Sequence, residues 1–206
     1  WNGSMILCIA DVLPQGELEK VRRLLNKGGF YAGAKTAGWA AREVKNNLQL
    51  TSKSAQWKAL QELVRGALKH HELFTLAAAP RTISSLLFSK YEKGMGYGDH
   101  VDNAVMNGDR PMRSDLSFTL FLEDPGEYQG GELTIEDSQG AQSFKLPAGS
   151  MILYPSNSLH RVEMVTEGTR LVAVGWVQSM VREAERRQIL FDLETLRRQM
   201  FAQNGK

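Results

Sequence analysis

The apolar positions of the chain change their period near residue 81, and that change divides the sequence into two textures. Before it, a short apolar strand at 5–9 is followed by "LPQGELEKVRRLLNKGG", where Leu18, Val21, Leu24 and Leu25 recur at helical spacing between Pro14 and a Gly28-Gly29 stop. The stretch "FYAGAKTAGWAAREVKNNLQL" keeps no clean period and reads as irregular or weak strand able to line a cavity. Helical spacing returns through Trp57, Leu60, Leu63, Val64 and Leu68, which predicts a second helix over about 52–71. After residue 81 come short runs, apolar or alternating: "TISSLLFSKYE", "SDLSFTLFLED", "GELTIED", "SFKLPAGSMILYP", "LHRVEMV" and "TRLVAVGWVQS". Gly, Pro, Asp and Asn separate them at near-regular intervals, the signature of antiparallel strands. The chain then turns helical again in "VREAERRQILFDLETLRRQMFAQ", with Ile189, Leu190, Leu193, Leu196 and Met200 in one stripe and an Arg-rich face expected to be solvated.

Helices leading into some seven or eight short strands predict an α+β fold, a double-stranded β-helix of the cupin-like jelly-roll kind braced by helices. The expected organisation is a helical support over 5–80, a jelly-roll core over 81–180 and a C-terminal helix over 181–206. Residues 1–4, ahead of Met5, read as the remnant of an expression tag and stay outside the fold reasoning. A length of 206 residues with 42% hydrophobic content suits one domain with a sizeable core.

Charge narrows the function. Twenty-five Lys plus Arg against 23 Asp plus Glu leave a net +2, too little to grip phosphates, so no nucleic-acid partner is expected. The longest apolar run, "LVAVGWV" at 171–177, is far too short to span a bilayer, so no membrane partner is expected either. The single cysteine, Cys8, sits in "MILCIA" as an expected buried small hydrophobe, and a lone thiol fits a cytoplasmic protein.

One fragment stands out against this background. In "YGDHVDNAV" (97–105), His100 and Asp102 are two apart, and on a strand positions i and i+2 face the same way. Such a pair can begin a chelate or can be a surface turn, and only a third ligand decides. Of the four histidines, His70 and His71 sit together at a polar helix end, which leaves His160 in "YPSNSLHRVEMV". Two imidazoles and one carboxylate on one face of an octahedron suit non-haem Fe(II), with three positions open. Zinc accepts the same set with a bound water. What favours iron is a cation placed to hold a bidentate organic acid, and Arg170, ten residues past His160 at the start of a strand, is that candidate. Taken alone, Arg170 is equally an exposed arginine after a Glu-Gly turn.

"YEKGMGYGDHVD", then "GGEL" and "LPAGSMILYPSNSLHRV" with a following "TR", resembles the prolyl 4-hydroxylase branch of the 2-oxoglutarate/Fe(II) dioxygenases over about 81–180. More closely, "KNNLQL", "YGDHVDNA" and "DLSFTLFL" are similar to the bacterial PKHD-type hydroxylases, and this likeness takes in both helices and most of the chain. The resemblance implies one Fe(2+) per chain on His100, Asp102 and His160, with Arg170 on the distal carboxylate of 2-oxoglutarate and Tyr91 and Tyr97 as motif tyrosines of the cosubstrate region. It implies oxidative decarboxylation of 2-oxoglutarate to succinate and CO2, coupled by O2 to C–H hydroxylation of a small-molecule or peptidyl substrate, with L-ascorbate as reductant. Where related hydroxylases place a second tyrosine, this chain has Leu120 and Phe121, so another group must assist the cosubstrate. Such hydroxylases also continue past the position of Lys206, so a helical support or homodimer contact is expected to be missing.

Trp39, Arg42, Asn46, Asn47, Asn103 and Met106 are the expected entrance residues, while Trp176 is expected in the core. Two other readings keep the triad: a cupin-like metal and 2-oxoglutarate sensor that turns nothing over, and a base-repair dioxygenase. The balanced charge disfavours the second.

Overall fold

Strand β10 (Leu116–Phe121) carries the logic of the fold. Its alternate residues Leu116, Phe118 and Leu120 enter one apolar layer while Phe121 enters another, and all six residues are buried. A strand buried on both faces lies in the middle of a layered structure. The computed structural model describes residues 5–36, 42–106, 111–138 and 140–203.

The major sheet runs β1 (Leu7–Ile9), β14 (Met151–Pro155), β10, β17 (Arg170–Ser179), β6 (Leu87–Tyr91), β4 (Leu48–Leu50) and β2 (Phe30–Ala32), with β5 (Pro80–Ile83) also on β17. The minor sheet runs β13 (Gly140–Phe144), β12 (Leu133–Asp137), β15 (His160–Val162), β7 (Gly96–His100) and β3 (Lys45–Asn46). Short ladders join β11 (Tyr128–Gly130) to β16 (Val165–Gly168) and β8 (Val105–Met106) to β9 (Met112–Arg113). Between the sheets pack Phe121, Ile152 and Val172 from the first and Leu133, Ile135 and Val162 from the second. This is the expected double-stranded β-helix.

Helices cover the other face of the major sheet. Leu18, Val21 and Leu25 of α1 (Gln15–Asn26), Leu60, Val64 and Leu68 of α2 (Ala55–His70) and Phe74 of α3 (Glu72–Ala78) meet Phe88, Phe118, Leu120 and Leu153. The ring of Phe118 has no exposed surface and lies edge-on to Phe74 at 6.1 Å, so its truncation to alanine costs about 3–5 kcal/mol. Ser54 caps α2 by accepting from the Trp57 amide at 3.1 Å.

Several expectations are corrected. The second helix ends where expected, and a further short helix follows it, because His71 leaves helical geometry and its Nδ1 accepts from the Phe74 amide at 3.4 Å to start α3. The stretch read as irregular or weak strand supplies the short strands β2, β3 and β4, so the segment 5–80, expected to be a helical support, contributes strands to both sheets as well as helices. Cys8 is exposed, because edge strand β1 turns Ile9 inward and Cys8 outward. On α4 (Ala184–Gln203) the stripe from Ile189 to Met200 faces out at 53–61% exposure, while Arg187 is buried and donates to the Val181 carbonyl at 2.8 Å.

Candidate active site

Pairing of β7 with β15 sets His100 directly across from His160. Their rings lie 4.2 Å apart between centroids, and Asp102, two residues past His100, brings Oδ2 to 3.8 Å from His160 Nε2. One donor atom from each of the three residues falls within 4.8 Å of the others, and among the described residues this cluster of three could hold a metal ion. The strand geometry read from the sequence holds: residues 100 and 102 converge while Val101 points elsewhere, 48% exposed.

The surroundings fix each donor. His100 Nδ1 faces the Gly98 carbonyl at 2.8 Å and His160 Nδ1 the Ser158 carbonyl at 3.0 Å, so both Nδ1 atoms carry the proton and both Nε2 lone pairs are free for a metal. Tyr97 stacks on His100 at 3.6 Å with 13° between planes. Burial first, and the neighbouring His160 second, hold the His100 imidazole well below its ordinary pKa, which keeps it neutral. The Ser117 hydroxyl donates to Asp102 Oδ2 at 2.6 Å and lies 2.9 Å from the Ser156 hydroxyl.

The triad opens into a cavity between the sheets. Its walls include Tyr91, Thr119, Tyr154, Arg170 and Trp176 from the major sheet and Tyr97 and Leu133 from the minor. Arg170 is 1% exposed, and among the described residues its Nε and Nη2 have no hydrogen-bond partner. Its guanidinium carbon lies 5.0 Å from the Tyr91 ring centroid and 5.5 Å from that of Phe121, so Phe121 supplies an aromatic floor in place of a hydroxyl. The exposed-arginine alternative is thereby excluded. "GGEL" makes room for this side chain: Gly131 has φ +70°, and a Cβ there would stand 3.0 Å from Arg170 Cδ and 3.1 Å from Tyr128 Cε2.

Of the expected entrance residues, Asn47, Asn103 and Met106 line the cavity. Asn46 is exposed and donates to the Gly94 carbonyl at 3.3 Å, Arg42 is exposed away from the cavity, and Trp39 lies outside the described residues. Trp176 is half-buried on the cavity wall rather than in the core, because residues 170, 174 and 176 of β17 alternate inward. Sequence reasoning passed over Ser117, Tyr128, Tyr154 and Lys45. Lys45 Nζ stands 5.2 Å from the Tyr97 ring centroid, and burial lowers its pKa to about 8 while Asp102 draws it part of the way back. The polar alternation of "KNNLQL" was the available signal.

The sequence over 86–178 matches the family model of the 2OG-Fe(II) oxygenase superfamily. A PKHD-type hydroxylase of Acaryochloris marina is 55% identical over 202 residues, covering 98% of this chain and 91% of its own length. The chain belongs to the PKHD-type hydroxylases. Another member, from Picosynechococcus, is 54% identical over the same share of each chain. Among solved structures, a prolyl hydroxylase from Trichoplax adhaerens in complex with a hypoxia inducible factor peptide fragment superposes with a TM-score of 0.60 at 15% identity, covering 92% of this chain and 88% of its own. That likeness speaks for the fold. As a PKHD-type hydroxylase the protein is an Fe(II)- and 2-oxoglutarate-dependent dioxygenase that consumes O2. No helix among the described residues is long and apolar enough to cross a membrane.

Proposed function

We propose that His100, Asp102 and His160 hold the Fe(II) of this PKHD-type hydroxylase and that Arg170 receives the distal carboxylate of 2-oxoglutarate. The observation that carries this reading is the buried guanidinium edge of Arg170, whose Nε and Nη2 have no partner among the described residues, in the cavity that the triad opens into. A buried charge left unpaired is costly, and a dicarboxylate reaching from the metal relieves it with a two-pronged contact. The donor set fits as well: two neutral imidazoles with free Nε2 atoms and a carboxylate leave one side of an octahedral ion open. Fe(II) held there supplies, with O2, the decarboxylation of 2-oxoglutarate to succinate and CO2 coupled to hydroxylation of a substrate C–H bond.

The chain's own groups orient and shelter that chemistry. Tyr91 lies against Arg170, and burial raises its hydroxyl pKa, so it stays protonated and can donate to the cosubstrate. Tyr97 braces the His100 ring, and Ser117 holds the Asp102 carboxylate. Thr119 lines the cavity from the strand on which related enzymes place a second tyrosine, and Tyr128 lies with Arg170 beside Gly131.

The substrate is a small molecule or a peptidyl side chain. The fold takes both, since a structural neighbour from Streptomyces hygroscopicus holds hygromycin B and the Trichoplax enzyme holds a peptide fragment. We assign L-ascorbate as the reductant that restores oxidised iron, and a cytoplasmic location, in keeping with a lone cysteine and a cellular supply of 2-oxoglutarate. The near-balanced charge supports action away from nucleic acid and membranes. The exposed apolar stripe of α4 supports a homodimer, checked by sedimentation.

Succinate release from labelled 2-oxoglutarate under Fe(II) and O2 tests the reading. Iron-dependent release that vanishes in Asp102→Ala supports it. Bound metal and 2-oxoglutarate with no succinate under any candidate substrate would favour the sensor.

A further inference from the structure

Strand β17 sends two side chains of opposite character to the cavity wall, Arg170 and Trp176, six residues and so about 20 Å apart along the strand. Arg170 stands across the sheet from Tyr91, and Trp176 from Ser117, whose hydroxyl holds Asp102. The indole ring is half-buried, yet its Nε1 is closed off from solvent and has no hydrogen-bond partner among the described residues. A buried donor left unmet is costly, and an acceptor on a bound molecule removes that cost.

Position says which molecule. On the iron and 2-oxoglutarate reading, the cosubstrate runs from the metal ligands toward Arg170 and therefore away from Trp176. The indole lies at the other end of β17, across from the serine that holds the metal-binding carboxylate, where a second ligand presents its C–H bond. The wall beside it is apolar: Val174, two residues earlier on the same face, and Leu87, its partner on β6, both line the cavity. One neutral donor in an apolar wall suits a neutral acceptor, because a carboxylate there gives up its hydration for a single hydrogen bond.

We propose that Trp176 is a substrate-binding residue whose indole N–H donates to a carbonyl oxygen of the hydroxylated substrate, and that this substrate is an uncharged amide carrying an aliphatic group. The aliphatic group packs on Leu87 and Val174, which sets its C–H bonds beside the metal ligands while the carbonyl is pinned by the indole. This inference rests on the iron and 2-oxoglutarate reading and names the substrate class for that same site.

The test follows the indole N–H signal of Trp176 by 15N NMR, assigned through the backbone, in the full chain loaded with Zn(II) and 2-oxoglutarate, which keeps the lines sharp and requires no turnover. The probes are the N-acetyl N-methylamides of the aliphatic amino acids. At least one is expected to bind and to move the indole proton downfield, as a new hydrogen bond does, a readout on the wild-type protein that no misfolded variant can imitate. Trp176→Phe is expected to bind that probe about tenfold more weakly while keeping its affinity for 2-oxoglutarate. No probe of the panel binding, a probe that binds without moving the indole signal, or a Trp176→Phe protein with the wild-type affinity overturns the proposal. So does a full downfield shift with Zn(II) and 2-oxoglutarate alone, which would give the donor to the cosubstrate. Failure of the wild-type protein to bind 2-oxoglutarate at all would instead overturn the underlying reading, and this one with it.

Discussion

The hydroxyl of Ser117 donates to Oδ2 of Asp102 at 2.6 Å from the inner face of β10, joining the loop that carries one metal-binding candidate to the middle of the major sheet. Ser117 is fully buried, and its own second contact is the hydroxyl of Ser156. Removing the donor frees the carboxylate to rotate. Ser117→Ala is expected to lower Mn(II) affinity about tenfold, read by calorimetry. An unchanged affinity would mean that Asp102 is held by other contacts.

Arg170 separates stability from binding. Its buried guanidinium is incompletely paired in the free protein, so Arg170→Met is expected to leave the melting temperature of the ligand-free protein unchanged or raised. The same variant is expected to lose about 100-fold in 2-oxoglutarate affinity, and with it the rise in melting temperature that the cosubstrate gives wild type. Thermal melts with and without 2-oxoglutarate check both halves.

Gly131 ties the backbone to the proposed cosubstrate site. With φ at +70° and Arg170 Cδ 3.0 Å from where a Cβ would stand, Gly131→Ala is both strained and crowding. The expected cost is about 1–3 kcal/mol in urea denaturation, together with a raised KM for 2-oxoglutarate. A stability loss with an unaltered KM would show that the crowding is taken up away from Arg170.

Burial penalises the Lys45 ammonium, so this lysine is expected to titrate at about 8 in the metal-free protein instead of at 10.5. NMR of 13C-methylated lysines, with Lys45→Met to assign the signal, measures it. The sign for stability follows. Between about 8 and 10.5 the unfolded chain keeps a proton that the folded chain has released, so this group makes stability rise with pH across that window. Below 8 the penalty is present in full, and Lys45→Met is expected to melt higher than wild type at pH 7.

Much of this site was legible because its donors sit on period-two strands. His100 and Asp102 share a face by spacing alone, and His160 stood out in a chain with four histidines. Arg170 could not be decided from sequence, since burial depends on the aromatic floor of Phe121 and on the space left by Gly131, which lie far from it in the chain. Strands β2 to β4 showed only as an irregular or weak-strand stretch because they are short and because residues 45, 47 and 49 turn polar groups toward a cavity, which removes the apolar alternation that marks a strand. The same reversal explains Trp176, an aromatic on a wall that the sequence pattern assigned to the core. The short helix that starts after His71 was hidden because its cap is an imidazole rather than a usual capping residue. The outward stripe of α4 arises because Arg187 and Phe191, rather than the leucines, face the rest of the molecule.

Anaerobic titration with Fe(II) in the presence of 2-oxoglutarate, followed by the visible charge-transfer band of the chelate, addresses the three donors together. Wild type is expected to saturate at one iron per chain, and Asp102→Ala and His160→Ala to develop no band. A full band in either variant would contradict the assignment of the metal to His100, Asp102 and His160.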